Sequence, residues 1–329
     1  MSTVDAMTPW QQRAYERAAA AMDGGRLGHA LLLCGPAHIG KRAVANRLAY
    51  RALCRTRDAQ GESCGTCRSC RLFAAGTHPD FTVVSFVMNK ENTRLRTEVV
   101  IDQIRALSSS LSLTPQFGGA QVVIVDPADA VNAAALNALL KTLEEPQPNR
   151  YLWLVSSDPA RLPATIRSRC QRLEFTLPPG DEALAWLQAQ GHRPSVAAEA
   201  LVAARGHPGL ADVWLREGGL DVRRDVVRDL EALAGGSASA AAMGQRWAAD
   251  EHAALRLRFA ADHAVALAAS LTDPLRTRTL ATWFDAANRT RGLLRTTVRA
   301  DLAIAALLLA WPPVVVPAAG RQDMTREVR

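Results

Sequence analysis

Apolar and polar positions along this 329-residue chain follow two regimes. In the first half, short apolar runs alternate with amphipathic stretches. Residues 10–22 have helical spacing and end at Gly24-Gly25, 29–34 form a strand-length apolar run, and 41–53 return to helical composition. Further strand-like runs fall at 81–87, 121–125 and 151–155, with helical stretches at about 98–110 and 132–145 between them. In the last of these helices Leu136, Leu139, Leu140 and Leu143 share a face, and Pro146 stops it. Strands and helices alternating at this spacing predict an α/β fold with a doubly wound parallel sheet covered on both faces. These leucines are therefore expected in the core.

The pattern changes after Pro178-Pro179-Gly180, where no strand-like run follows. Residues 181–217 read as a small helical unit broken at Gly206-His207-Pro208-Gly209. From Asp221 the chain is alanine- and leucine-rich helix, interrupted at Gly235-Gly236-Ser237 and ending at Trp311-Pro312-Pro313. The expected organisation is thus a sheet domain over 1–178, a helical unit over 179–217, a helical domain over 218–315 and a flexible tail over 316–329.

Composition narrows the classes. Hydrophobic residues make up 48% and aromatics only 5%, which suits helices better than an all-β protein. The net charge of +7 fits either contact with nucleic acid or a solvated, arginine-rich surface. Residues 1–5 are neutral to acidic with no apolar segment behind them, and the longest apolar run, 302–311, is too short to span a bilayer. A cytoplasmic protein is expected, and six cysteines in a reducing compartment point to metal or buried thiols rather than disulfides.

The candidate chemistry begins where the first strand ends. Gly35-Pro36-Ala37-His38-Ile39-Gly40-Lys41-Arg42 fits the phosphate-binding pattern G-x-x-x-x-G-K-[ST] except at its last position. Glycines let backbone N–H groups turn around phosphate oxygens, and the lysine adds a charge. The missing hydroxyl is the group that holds Mg²⁺, and Arg42 has no acceptor atom with which to replace it. The strand ending at Val125 leads into Asp126, at the place where an ATPase keeps acidic residues for metal and water. Here Pro127 follows, and Asp129 falls on the next turn. Gly35, Gly40, Lys41, Arg42 and Asp126 therefore read as a vestigial nucleotide site poorly equipped for hydrolysis.

Cys54, Cys64, Cys67 and Cys70 follow the spacing C-x9-C-x2-C-x2-C. Four soft sulfur ligands suit tetrahedral Zn²⁺, and a site closed by four thiolates is structural. It would pin a polar loop within about 54–73, whereas Cys34 and Cys170 read as buried spectators. Arg161, Arg167, Arg169 and Arg172 lie in and around a turn beyond the last strand. On chemistry alone they are either a solvated basic face or a source of an arginine acting on another subunit's γ-phosphate.

Taken in order, Gly76-Thr77-His78-Pro79-Asp80, the run from Asn137 to Pro146 and Ser168-Arg169-Cys170 resemble the bacterial clamp-loader branch of the AAA+ ATPases. The four-cysteine insertion after the phosphate-loop helix is also typical of that branch. The resemblance covers about residues 9–180. It implies an AAA+ module, a small helical lid and an all-α collar domain that assembles a five-membered ring. It also implies delta and gamma or tau subunits as partners, with the sliding clamp and primed DNA reached through the complex and no membrane contact. In that family Ser168-Arg169-Cys170 would present Arg169 in trans, as an arginine finger, to ATP on an adjacent motor subunit. The chain departs from the motor pattern at Arg42, at Pro127 and at Gly209, where a lid arginine would stand. The resemblance therefore implies a non-motor subunit. Nothing in the sequence looks like a polymerase site, so any DNA polymerase activity would belong to the holoenzyme. Two rivals stand beside this reading. One is an active gamma- or tau-type ATPase. The other is a zinc-dependent nucleic-acid-binding module using Arg51, Arg55, Arg57, Arg68 and Arg71.

Overall fold

The computed structural model describes residues 7–89, 91–294 and 296–312, which fall into two compact units divided between Asp212 and Val213. The first unit runs α1 (Pro9–Asp23), β1 (Ala30–Cys34), α2 (Lys41–Leu53), α3 (Arg68–Ala74), β2 (Phe81–Val84) and α4 (Ile101–Leu111). It continues with β3 (Gln121–Val125), α5 (Ala133–Glu144), β4 (Arg150–Ser156), α6 (Ala164–Arg167), β5 (Gln171–Glu174), α7 (Gly180–Ala189) and α8 (Pro194–Ala203). The division falls within α9 (Pro208–Arg216). Helix starts follow local chemistry: Thr8 and Gln11 form a reciprocal capping box on α1, and the Asn132 side chain caps α5.

All five strands are parallel, in the order β2-β3-β4-β1-β5. Their alternate side chains feed two cores. Leu31, Leu33, Val122, Ile124, Trp153 and Val155 pack with α1 and α2 on one face. Leu32, Val123, Val125, Leu152 and Leu154 pack with α4 and α5 on the other, against Leu136, Leu139 and Leu143, with Leu140 partly buried beside them. Covering both faces is what makes the central strands read as continuous apolar runs.

Three features differ from the sequence expectation. The run 81–87 yields a strand only to Val84, whose register partner Val125 ends β3, so beyond it β2 has nothing to pair with. Val87, Met88 and Leu95 are instead exposed, with Met88 bridged to Leu95. β5 was not evident because its sequence is polar and only Leu173 is buried. The cysteine loop is not irregular throughout, since it contains α3.

The second unit contains α10 (Gly219–Ala234), α11 (Ala240–Ala249), α12 (Ala253–Ser270), α13 (Pro274–Leu293) and α14 (Ala300–Leu309). α11 packs on α14 and α12 on α13. Two of its buried tryptophans have their N–H groups satisfied, Trp247 by Asp229 and Trp283 by the Leu307 carbonyl, whereas the indole nitrogen of Trp311 has no hydrogen-bond partner among the described residues. Among the described residues no strand follows Glu174, and no helix is long and apolar enough to cross a membrane. The expected helix end at Pro313 and the tail 316–329 lie outside the described residues.

Candidate functional site

The phosphate loop occupies the carboxyl end of β1, the central edge where parallel α/β sheets hold ligands. Gly35 has φ +146°, and a Cβ there would stand 2.3 Å from the Phe175 carbonyl oxygen, so only glycine fits. Gly40 caps α2 in the left-handed conformation. Lys41 is 5% exposed. Its Nζ donates to the loop's own carbonyls, Gly35 O at 2.8 Å and Pro36 O at 2.5 Å, and to Ser157 Oγ at 3.1 Å. Burial holds its pKa below the usual lysine value, with Asp126 and Asp129 opposing that shift. Arg42 Nη1 meets Asp126 Oδ2 at 3.0 Å. The two positions that would share a metal in an ATPase are thus joined to each other as an ion pair. Asp129 lies on the turn after β3, as its sequence position implied, and accepts from the Ser157 N–H at 3.3 Å.

The start of α9 closes onto this loop. His207 Nε2 donates to the Ala37 carbonyl at 2.5 Å while its Nδ1 accepts from Leu210 N–H. A Cβ on Gly209 would stand 1.9 Å from the His38 carbonyl oxygen. Gly209 is therefore required by close backbone approach, a reason beyond the absence of a lid arginine.

At the far end of α2 the four cysteines converge. Their sulfurs all lie within 4.8 Å of one another, with Cys54–Cys64 at 3.7 Å and Cys64–Cys70 at 3.9 Å. A tetrahedron with Zn–S bonds of about 2.3 Å has edges of about 3.8 Å, so the donor set fits a four-coordinate metal. Backbone N–H groups of Cys64, Cys67 and Cys70 donate to the sulfurs of Cys54, Cys64 and Cys67, hydrogen bonds that orient thiolates and stabilise their charge. The Thr56 hydroxyl, with the N–H groups of Cys67 and Thr66, lowers the Cys64 pKa to about 5. Burial raises that of Cys70 to about 12. Cys34 and Cys170 are buried elsewhere.

An ion cluster anchors the same loop independently of the cysteines. Arg51, 2% exposed, bonds Glu62 at 2.6 Å and Asp23 at 2.5 Å, and Glu62 also takes Arg47 and the Tyr15 hydroxyl. The buried His78 joins α3 to β2: Ser69 Oγ lies 2.8 Å from its Nε2, and Nδ1 accepts from Asp80 N–H. Burial lowers its pKa, keeping the ring neutral. Of the loop arginines, Arg55 donates to the Phe117 carbonyl, Arg57 pairs with Asp23 and Arg68 lies over the Phe117 ring.

Arg169 sits between α6 and β5, before the first residue of its strand. Because β5 runs parallel to β1 with Leu31 opposite Gln171, Arg169 lies at the sheet edge opposite the phosphate loop. A five-residue strand at about 3.3 Å per residue separates the two edges by roughly 15 Å. The Arg169 guanidinium donates from Nη1 to the Thr165 carbonyl at 2.9 Å, and Nη2 pairs with Glu144 Oε1 at 2.5 Å. Ser157, Glu62, His207 and Glu144 had no role on sequence grounds. Ser157 directly follows β4 and so had a positional signal, whereas the others depend on contacts distant in sequence.

These elements define a class: a parallel α/β protein with a phosphate loop at the end of β1, altered at its metal-holding positions, and a four-cysteine module on the adjoining helix. A family model described as DNA polymerase III, delta subunit, matches residues 10–178, and the chain belongs to that family. It is 40% identical over 243 residues to DNA polymerase III subunit delta′ of Pseudomonas aeruginosa, covering 73% of this chain and 70% of the relative. To the subunit of the same name from Haemophilus influenzae it is 35% identical, covering 68% and 66%. The matches thus span about two thirds of those relatives' lengths. A solved structure, a DNA polymerase III gamma subunit-related protein from Thermotoga maritima, aligns over 91% of this chain and 96% of that one. It is 15% identical, with a TM-score of 0.41.

Proposed function

We propose that the chain is a non-motor, delta-prime-type subunit of a DNA polymerase III clamp loader. In this reading it supplies Arg169 in trans to ATP bound on a neighbouring gamma or tau subunit, while the complex loads the sliding clamp onto primed DNA. The observation that carries the reading is the separation of Arg169 from the chain's own phosphate loop by the length of the sheet. An arginine so placed cannot serve nucleotide on its own loop, and it is partly exposed at the opposite edge, where a neighbour's nucleotide could reach it once its contacts to Thr165 and Glu144 are exchanged. A delocalised, always-charged guanidinium is the group suited to charge developing on a transferring phosphoryl.

The loop keeps Gly35, Gly40 and Lys41 as a vestigial phosphate cradle. With Arg42 bound to Asp126 and Pro127 behind it, the Mg²⁺ and water-activating parts are lacking, which disfavours the gamma- or tau-type motor. Cys54, Cys64, Cys67 and Cys70 would hold a structural Zn²⁺ with no open coordination position. The nucleic-acid-binding rival needs several free cations around that module, but four of its five arginines, Arg51, Arg55, Arg57 and Arg68, are engaged within the fold, which leaves it Arg71. Residues 179–217 would act as the lid and 218–315 as the collar that joins delta, gamma or tau, and DNA would be contacted through the assembled ring.

The test is Arg169→Ala in a complex reconstituted with its motor subunits, clamp and primed DNA. The variant should assemble normally and lose about 10³-fold or more in hydrolysis at the site it serves. Undiminished hydrolysis in an intact complex removes the finger assignment.

A further inference from the structure

We propose that Glu144 is a positioning residue for Arg169: a resting counter-ion that must give up the guanidinium before it can engage a neighbour's nucleotide. The inference rests on the reading of Arg169 given above. Both terminal nitrogens of Arg169 are occupied within its own domain, Nη1 by the Thr165 carbonyl and Nη2 by the Glu144 carboxylate. A phosphate approached by this arginine needs those same nitrogens. It is also an anion, so a carboxylate 2.5 Å from the guanidinium would stand beside a like charge. Engagement is therefore an exchange of one anion for another.

Glu144 is electrostatically unfavourable for its position. It is the last residue of α5, where the helix dipole favours cations and disfavours a carboxylate. It is half exposed, so it contributes nothing to the core. Its pair with Arg169 offsets that cost. The pair is exposed on both sides, which keeps it weak enough to break on assembly. A strong, buried pair would trap the arginine, and no partner at all would leave a long side chain unordered. A weak pair instead sets a threshold: the arginine stays parked until a neighbouring nucleotide is well placed.

The experiment uses the reconstituted complex, with wild type, Glu144→Gln, Arg169→Ala and the double variant, measured with and without clamp and primed DNA. Glutamine keeps size and shape and removes the charge. Glu144→Gln should raise ATP turnover without clamp and DNA by about two- to fivefold, the range expected for losing an exposed ion pair. The KM for ATP should be unchanged, and the stimulation by clamp and DNA should shrink in proportion. Combined with Arg169→Ala, the glutamine substitution should have no further effect, because it acts only through the arginine. Turnover unchanged or lowered by Glu144→Gln, or raised equally in the Arg169→Ala background, overturns the proposal and leaves the finger intact. A complex in which Arg169→Ala itself changes nothing overturns the finger reading, and this inference with it.

Discussion

α2 joins two ligand sites of opposite fate. At its N-terminus the phosphate loop keeps its glycines and lysine, yet the positions that would hold a metal have become an Arg42–Asp126 ion pair. At its C-terminus the cysteine module keeps every donor, with sulfur separations matching a tetrahedral site and N–H groups directed at three of the sulfurs. Both adjoin one helix. A motif reports ligand binding only when the chemistry of each donor is present. The glycines persist for backbone reasons, at Gly35 through Phe175, and say nothing by themselves about hydrolysis.

The largest effect that sharpens this contrast is at the intact site. Cys67→Ser should reduce bound zinc from about one equivalent to below half in protein purified without chelator. It should also destabilise the first unit by on the order of several kcal/mol in thermal unfolding, because metal binding is coupled to folding. Equal metal content and stability in the variant would place the cysteine module with the phosphate loop, as a relic. An intermediate effect belongs to the contact between α9 and the loop. Gly209→Arg, which restores the arginine a motor would carry, should cost about 1–3 kcal/mol by forcing a side chain against the His38 carbonyl. It should not create ATPase activity in the isolated chain. A stable variant that hydrolyses ATP would mean the loop is a latent motor. The smallest effect is at the pair that defines the altered loop: Arg42→Ala removes a partly exposed ion pair and should change stability by less than about 1 kcal/mol.

Much of this was legible in the sequence, and the exceptions have physical causes. The central strands stood out because burial on both faces makes Ala30–Cys34, Gln121–Val125 and Arg150–Ser156 apolar at nearly every position. β5 did not, because an edge strand buries one side chain in four. The cysteines were readable because their spacing is local. The anchoring of their loop by Glu62 was not, since it depends on Arg47 and Arg51 on α2 and Tyr15 on α1. Gly209 was readable only as a missing arginine, and its approach to His38 needed three-dimensional placement. Glu144 lay inside a motif already noted, but its pairing with Arg169 joins the end of α5 to the turn before β5, which no periodicity reports.

In the proposed function, the charge this chain brings to ATP is Arg169 and not its own phosphate loop. The most direct measurement compares Lys41→Ala with Arg169→Ala in the same reconstituted complex, reading hydrolysis per assembled complex in the presence of clamp and primed DNA. Lys41→Ala should stay within about twofold of wild type, while Arg169→Ala should lose about 10³-fold or more at the site it serves. A loss from Lys41→Ala as large as that from Arg169→Ala, in a complex that still assembles, would contradict this reading.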